Sequence, residues 1–339
     1  MRLLHFNCSY RLPHLPVSVR ESAEGISLET GDLRRRREKV IVVLGATGTG
    51  KSRLSIDLAK HFPAEVINAD KMQVYEGLDT VTNKVTVQEQ RGVTHHLLGV
   101  ADPDGEFSAS DFRALASASI DSIVRRRRLP IIAGGSNSYI EALVSDEASR
   151  FRLRYDCCFL WVDAAMPVLH TFLTDRVDRM VEAGLVEEVR KMFHPKADYT
   201  LGLRKAIGVP EMDQYLRALF SGAADDRTLA ALLEAGIHDI KANTCKLSCC
   251  QVGKIHRLRA VYGWDLHRLD ATEALASSGR ASRDAWDRHV AGPSVGIVTR
   301  FLLRNYVHSG LVGAGAGAAI AAAAAAAAAG AVEAAAAIG

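Results

Sequence analysis

Paired cysteines are missing from this chain. Its six cysteines, Cys8, Cys157, Cys158, Cys245, Cys249 and Cys250, form no C-x-x-C pair and have no histidine at zinc-finger spacing. That argues against a structural metal and for a reducing compartment. Cys157 and Cys158 lie in an apolar run and read as buried small hydrophobes. Aromatic residues are only 6% and the formal net charge is only +3, so no global basic field marks a nucleic-acid binder. Residues 311–339 are almost entirely Ala and Gly, hold Glu333, and are short of the Leu, Ile and Phe that favour membrane insertion. No membrane association is expected, and this stretch reads as a low-complexity tail.

What is present is enough for a sizeable core: 339 residues, 48% of them hydrophobic. The first 38 residues carry Arg2, Arg11, Arg20 and Arg34–Arg37, with acids only from Glu21 onward. They read equally as an organelle transit peptide or as a disordered leader. From Val40 the pattern is regular. Val40–Leu44 is a continuous apolar run, as in a strand buried on both faces. A helix over Lys51–His61 follows, stopped by Pro63, then a short strand at Glu65–Asn68. Ser108-Ala-Ser-Asp111 is a capping box for a helix to about Arg125, and strands are expected at Leu129–Ala133 and Cys157–Val162. The alternation predicts an α/β fold, a P-loop NTPase-like parallel sheet core over 39–165.

After Asp163 the sequence turns mostly helical, with helices expected over 168–183, 185–193, 210–220 and 229–261. A strand-like return at Gly263–Leu269 and a helix near 281–290 close it. Residues 166–310 are therefore expected to form an appended helical subdomain with a C-terminal return. The runs Arg34–Arg37 and Arg125–Arg128 each precede a strand and read as solvated segments or helix ends rather than nucleic-acid patches.

The segment Gly45-Ala46-Thr47-Gly48-Thr49-Gly50-Lys51-Ser52 fits G-x-x-x-x-G-K-[ST]. A chance match in a chain of this size has a probability on the order of a per cent, and the flanking strand and helix reduce it further. Glycines let the backbone curl so that N–H groups face phosphate oxygens, and the helix N-terminus adds positive potential. Lys51 supplies a mobile cation, and the Ser52 hydroxyl can ligate Mg²⁺.

The loop alone does not name a reaction. A P-loop kinase places a Mg²⁺-organising acid after an apolar strand, whereas Leu129–Ala133 runs into Gly134-Gly135-Ser136-Asn137. Asp163 could fill that role, which leaves a nucleotide kinase open. Asp70 ends the strand after the P-loop helix, at the carboxyl edge where ligands of open α/β sheets bind. By itself it reads as a cap or ion-pair partner at least as readily as a catalytic acid.

Taken together, Gly45–Ser52, Asn68–Thr86, His95–Gly99, Gly134–Val144, Trp161–Asp163, Asp175–Arg190, Leu203–Glu211, Asn243–Leu247 and Gln251–Leu258 resemble plant adenylate isopentenyltransferases, the cytokinin synthases. The resemblance covers about residues 40–305. It implies transfer of the dimethylallyl group of dimethylallyl diphosphate to N6 of ATP, ADP or AMP, the first step of cytokinin biosynthesis. By the same resemblance the P-loop holds the diphosphate leaving group, helped by Lys51, Thr47 and Mg²⁺ on Ser52, and Asp70 is the general base that takes the amine proton. Lys84, Asn137, Ser138, Arg176 and Arg204 become candidate contacts to diphosphate or nucleotide, with Arg179 and Lys205 as further cations. His95 and His96 match a family position and read as a packed, hydrogen-bonded pair.

The plastid is the compartment the resemblance implies, the cytoplasm the alternative, and a monomer is expected. A tRNA dimethylallyltransferase performs the same chemistry and is the second reading. It is weakened by the small net charge, the scarcity of aromatics and the lack of a C-terminal zinc-finger-like segment. A nucleotide kinase is the third. One position departs from the family: relatives usually carry Arg where this chain has Cys250, just before Gln251. A thiol cannot supply a guanidinium fork, so weaker substrate binding or turnover is expected if that Arg grips phosphate.

Overall fold

Val40 to Leu44 are all 0% exposed, because the strand they form lies at the centre of a sheet covered on both faces. The computed structural model describes residues 37–145 and 150–308; the Ala/Gly tail and the leader up to residue 36 lie outside them. Six strands, β1 (Glu38–Gly45), β2 (Ala64–Asn68), β3 (His95–His96), β4 (Leu129–Ala133), β5 (Tyr155–Asp163) and β6 (Leu266–Asp270), pair in the order β3-β2-β4-β1-β5-β6. All five pairings are parallel.

The helices between them are α1 (Lys51–His61), α2 (Val87–Gln90), α3 (Ala109–Arg125), α4 (Asn137–Val144), α5 (Phe151–Arg154) and α6 (Met166–Glu182). They continue with α7 (Leu185–Met192), α8 (Asp213–Ser221), α9 (Asp226–Tyr262), α10 (Thr272–Ala276), α11 (Gly279–Trp286) and α12 (Gly292–His308). The capping box opens α3: Asp111 N–H donates to Ser108 Oγ and Ser108 N–H to Asp111 Oδ2. The arginine run closes it. Arg126 and Arg128 both pair with Glu65 on β2, at 2.6 and 3.1 Å, so that run is a helix end tied to the sheet.

Alternation along β1 sorts the core into two layers. Val40, Val42 and Leu44 pack with Phe112, Ile120 and Ile123 of α3 and Tyr139, Ile140 and Leu143 of α4. Ile41 and Val43 face the other way, onto Leu54 and Leu58 of α1 and onto Trp286, Val298 and Phe301. The C-terminal return therefore enters the core: β6 pairs with β5, and α11 and α12 cover the α1 face. Of the elements labelled above, periodicity missed six: α2, β3, α4, α5, α10 and α12. Two residues carry no strand signal of their own, and β3 exists because Val66 and Ile67 offer it an edge. Helix α4 is short and opens with a glycine-rich polar run, which reads locally as a loop.

Helices α1 and α4 follow adjacent strands but cover opposite faces. Between β1 and β4 the chain thus reverses its direction of travel across the sheet, which opens a crevice at their carboxyl ends. Two loops border that crevice: the phosphate loop after β1, and Gly134–Ser136 after β4. The second is pressed against β2, where a Cβ on Gly134 would sit 2.2 Å from the Ala69 carbonyl carbon and oxygen.

That approach sets a test of stability. Gly134→Ala must push the β4 loop off the backbone beside Asp70, and overpacking of this kind costs about 1–3 kcal/mol. Gly253, in the C-terminal third of α9, would meet nothing within 4 Å, so Gly253→Ala is expected to stabilise by about 0.5–1 kcal/mol through helix propensity. Urea unfolding of both variants beside wild type measures the two opposite shifts.

Candidate active site

The glycine loop leads from β1 into α1 through Gly50, whose φ of +96° starts the helix without a side-chain cap. Among the described residues the amides of Gly48, Gly50, Lys51 and Ser52 make no hydrogen bond within the protein. They form a nest of donors at a helix N-terminus, suited to an anion. The loop is braced from below by Trp286, whose ring would lie 2.6 Å from a Cβ on Gly50 and whose indole N–H donates to Asp57 at 2.9 Å. Ala46 and Thr49 are buried in that support, with Thr49 Oγ1 donating to the Ala46 carbonyl.

Two cations share the loop. Lys51 Nζ folds back onto the Ala46 carbonyl at 2.7 Å, and Arg176 of α6 donates to Thr47 Oγ1 at 3.1 Å. Burial lowers the Lys51 ammonium to about 8, Asp70 pulling against that and Arg176 adding to it. Burial likewise lowers Arg176 to about 10, with Asp70 opposing and Arg179 reinforcing. Arg176 Nε is buried without a hydrogen-bond partner among the described residues. Desolvated cations with a single carboxylate between them leave excess positive charge, and an anion such as a diphosphate would relieve it.

Asp70 is that carboxylate. Its Oδ1 accepts from Met72 N–H at 3.0 Å and Gln73 N–H at 3.4 Å, so it closes a turn rather than capping a helix, the next helix being α2 at Val87. Among the described residues Oδ2 carries no hydrogen bond. The neighbouring backbone is clamped to the β4 loop, Lys71 N–H donating to Ser136 Oγ at 2.7 Å and Ser136 N–H to the Ala69 carbonyl at 3.2 Å. The P-loop and Asp70 therefore border one crevice.

The other candidates divide. Ser52 is exposed at the start of α1, and its hydroxyl bonds to nothing among the described residues. Gly45 is buried at the end of β1 against Val162. Asn137 is buried at the start of α4, its Nδ2 donating to the Gln251 carbonyl at 3.0 Å and its Oδ1 without a partner among the described residues. Ser138 beside it is exposed. Lys84 spends its ammonium on Asp79, at 2.6 Å, and on the Gly77 carbonyl, closing its own loop. Arg204 donates to the Met192 carbonyl at 3.0 Å and to Asp104 at 3.2 Å, and Lys205 pairs with Glu106. None of these three shows a hydrogen bond or ion pair to the phosphate loop.

Asp163, the candidate Mg²⁺ acid of a kinase, is bound by Arg268 at 2.7 Å. His95 Nδ1–H donates to the Val93 carbonyl at 2.8 Å, and His96 pairs with Glu65 at 2.7 Å, so both serve the sheet edge. Cys158 is buried and Cys157 half-buried, burial pushing each thiol up to about 12. Cys250 is exposed on α9, next to Gln251, a residue sequence reasoning did not single out. Gln251 is 8% exposed on a helix, and its polarity at an inward-facing position was the signal available.

Comparison with known proteins identifies the family. Residues 73–152 and 145–253 match the model of the IPP transferase family. Adenylate isopentenyltransferase 5, chloroplastic, of Arabidopsis thaliana is 56% identical over 79% of this chain and 81% of its own. Adenylate isopentenyltransferase 3, chloroplastic, of the same plant is 53% identical over 79% and 80%, and the adenylate isopentenyltransferase of Humulus lupulus 48% over 77% and 89%. Among solved structures, a eukaryotic dimethylallyltransferase acting on tRNA superposes with a TM-score of 0.66 at 25% identity, covering 79% of this chain and 80% of that one. The full-length tRNA isopentenylpyrophosphate transferase of Bacillus halodurans gives 0.62 at 25% identity, over 79% and 100%.

The lowered lysine predicts how anion binding responds to pH. An anion favours charged Lys51, so its affinity is complete below about pH 8 and is lost as pH rises through that value. Calorimetric Kd values for inorganic diphosphate should weaken toward tenfold per unit between pH 8 and 9.5. Lys51→Arg, charged throughout, should flatten that dependence.

Proposed function

The chain belongs to the IPP transferase family, in its adenylate isopentenyltransferase branch, and from that premise we propose how its crevice performs dimethylallyl transfer to an adenine nucleotide. The observation that carries the reading is the placement of Asp70, with its free Oδ2, across one crevice from the amide nest and the two desolvated cations. The diphosphate of dimethylallyl diphosphate lies in the nest of Gly45–Ser52, against the ammonium of Lys51. Thr47 accepts from Arg176 and so keeps its own hydroxyl proton to donate to the leaving oxygens. The N6 amine attacks the first carbon of the prenyl chain. The carbon–oxygen bond breaks, its electron pair leaves on the diphosphate, and the amine proton passes to Asp70 Oδ2. Donors held in place before reaction stabilise the charge that gathers on the leaving group, and a carboxylate within reach strengthens a weak amine as the new bond forms.

Mg²⁺ fits this site on one observation: the Ser52 hydroxyl is exposed and unbonded at the mouth of the nest. Ser52 would hold the ion together with diphosphate oxygens, and when bound it neutralises negative charge on the leaving group. Ser138 is exposed at the start of α4, and Asn137, buried beside it, ties that helix to the Gln251 carbonyl. Lys84 and Arg204 support the surrounding loops, and Arg176 is the cation that reaches the site. Plastid residence follows the chloroplastic relatives.

The solved relatives with this fold act on tRNA, so the acceptor is the point to test. Purified protein with dimethylallyl diphosphate, Mg²⁺ and, in parallel, AMP, ADP, ATP or unmodified tRNA should yield a prenylated mononucleotide by mass. Product with tRNA alone would transfer the chain to the second reading, and phosphoryl transfer without prenylation would establish a kinase. Asp70→Asn should lower kcat about 10²–10⁴-fold while leaving the affinity for inorganic diphosphate within a fewfold. A turnover near wild type would remove Asp70 from the role of base.

A further inference from the structure

Helix α9 presents one long polar side chain to the crevice. Gln251 is buried on the same face as Thr244 and Ser248, and the oxygen and nitrogen of its amide each bond to a loop distant in sequence. Its Oε1 accepts from the Thr47 N–H of the phosphate loop at 2.7 Å. Its Nε2 donates to the Gly135 carbonyl of the β4 loop at 2.9 Å. Its own main-chain carbonyl accepts from Asn137 Nδ2 at 3.0 Å. A Cβ built on Gly135 would stand 2.6 Å from Gln251 Nε2 and 3.4 Å from Asp70 Oδ2, so the amide and the carboxylate close on the same turn from two sides.

These bonds form a continuous chain across the crevice. Thr47 is tied to Gln251, Gln251 to Gly135 and Asn137, and Ser136 between them to the residues either side of Asp70. The phosphate loop and the carboxylate sit on different strands, β1 and β2, with β4 between them. The sheet fixes where those strands end, but not where the loops beyond them come to rest. Gln251 supplies that fixed length.

We propose that Gln251 is a positioning residue for prenyl transfer, setting the separation between the diphosphate nest and the base. The inference rests on the proposed function. It needs the amide of glutamine at this length: asparagine is one methylene short of spanning both loops, and glutamate keeps an acceptor for Thr47 N–H but has no N–H for the Gly135 carbonyl. Gln251 also satisfies Thr47 N–H without touching the four free amides of the nest. Its removal should therefore leave donor binding largely intact while loosening the geometry of transfer, where misplacement by about 1 Å can cost about 10²-fold.

Steady-state prenyl transfer and the Kd for inorganic diphosphate are measured for Gln251→Ala, Gln251→Asn and Gln251→Glu, alone and combined with Asp70→Asn. In the wild-type background kcat is expected to fall about 10- to 100-fold for Ala and Asn and less for Glu, with Kd for diphosphate changed less than threefold. In the Asp70→Asn background the same substitutions should cost little, because the alignment of an absent base no longer matters. Gln251→Met keeps the side-chain volume and serves if Gln251→Ala fails to fold by circular dichroism. A kcat within twofold of wild type, or the same fold-loss in both backgrounds, overturns the assignment. Lack of any prenylated nucleotide from the wild type would instead reject the function itself.

Discussion

Two cations held out of water around one carboxylate are the constraint from which this site follows. Lys51 and Arg176 are both pulled below their ordinary values by burial, and Asp70 is the charge that opposes the shift at each. Such a cluster is unfavourable in an empty apolar crevice and becomes favourable when a multivalent anion enters. The free amides of the loop lie beside these charges, so in the proposed reaction binding and leaving-group stabilisation use one set of groups. Asp70 belongs to both halves of the arrangement: it tempers the cations, and in the proposed reaction it offers Oδ2 to a proton.

The sheet makes that convergence possible. With β1 and β4 adjacent and their following helices on opposite faces, two loops separate at the carboxyl edge instead of crossing over it. The cleft is then completed by elements from the second half of the chain. Arg176 comes from α6, Gln251 from α9 and the Trp286 brace from α11. Residues from the second half of the chain thus complete a loop encoded near its start, and the sixth strand joins them to the same sheet.

Much of this was legible in order. The strands β1 and β4, the helix α1, the capping box of α3 and the long α9 all carry local signals: continuous apolar runs, a Ser-to-Asp cap and helical periodicity. The loop with Lys51 and Ser52 was legible because its function is written in adjacent residues. Cations were not sorted by the same means. Lys84, Arg176 and Arg204 look alike in a sequence, and only packing shows that Asp79 and Asp104 occupy two of them while Arg176 remains at the loop.

What the amino-acid sequence determined by itself, then, was the class of fold and the phosphate loop, because both depend on spacing within a few turns of chain; Asp70 was singled out only through the resemblance to a family. The tertiary structure alone decided which charges stay unspent, that a glutamine 204 positions from Thr47 bonds to its amide, and that a tryptophan near the end of the described chain braces the loop. Those decisions depend on distances between elements far apart in sequence. They are set by how side chains fill the space between helices and sheet, and no local period records that.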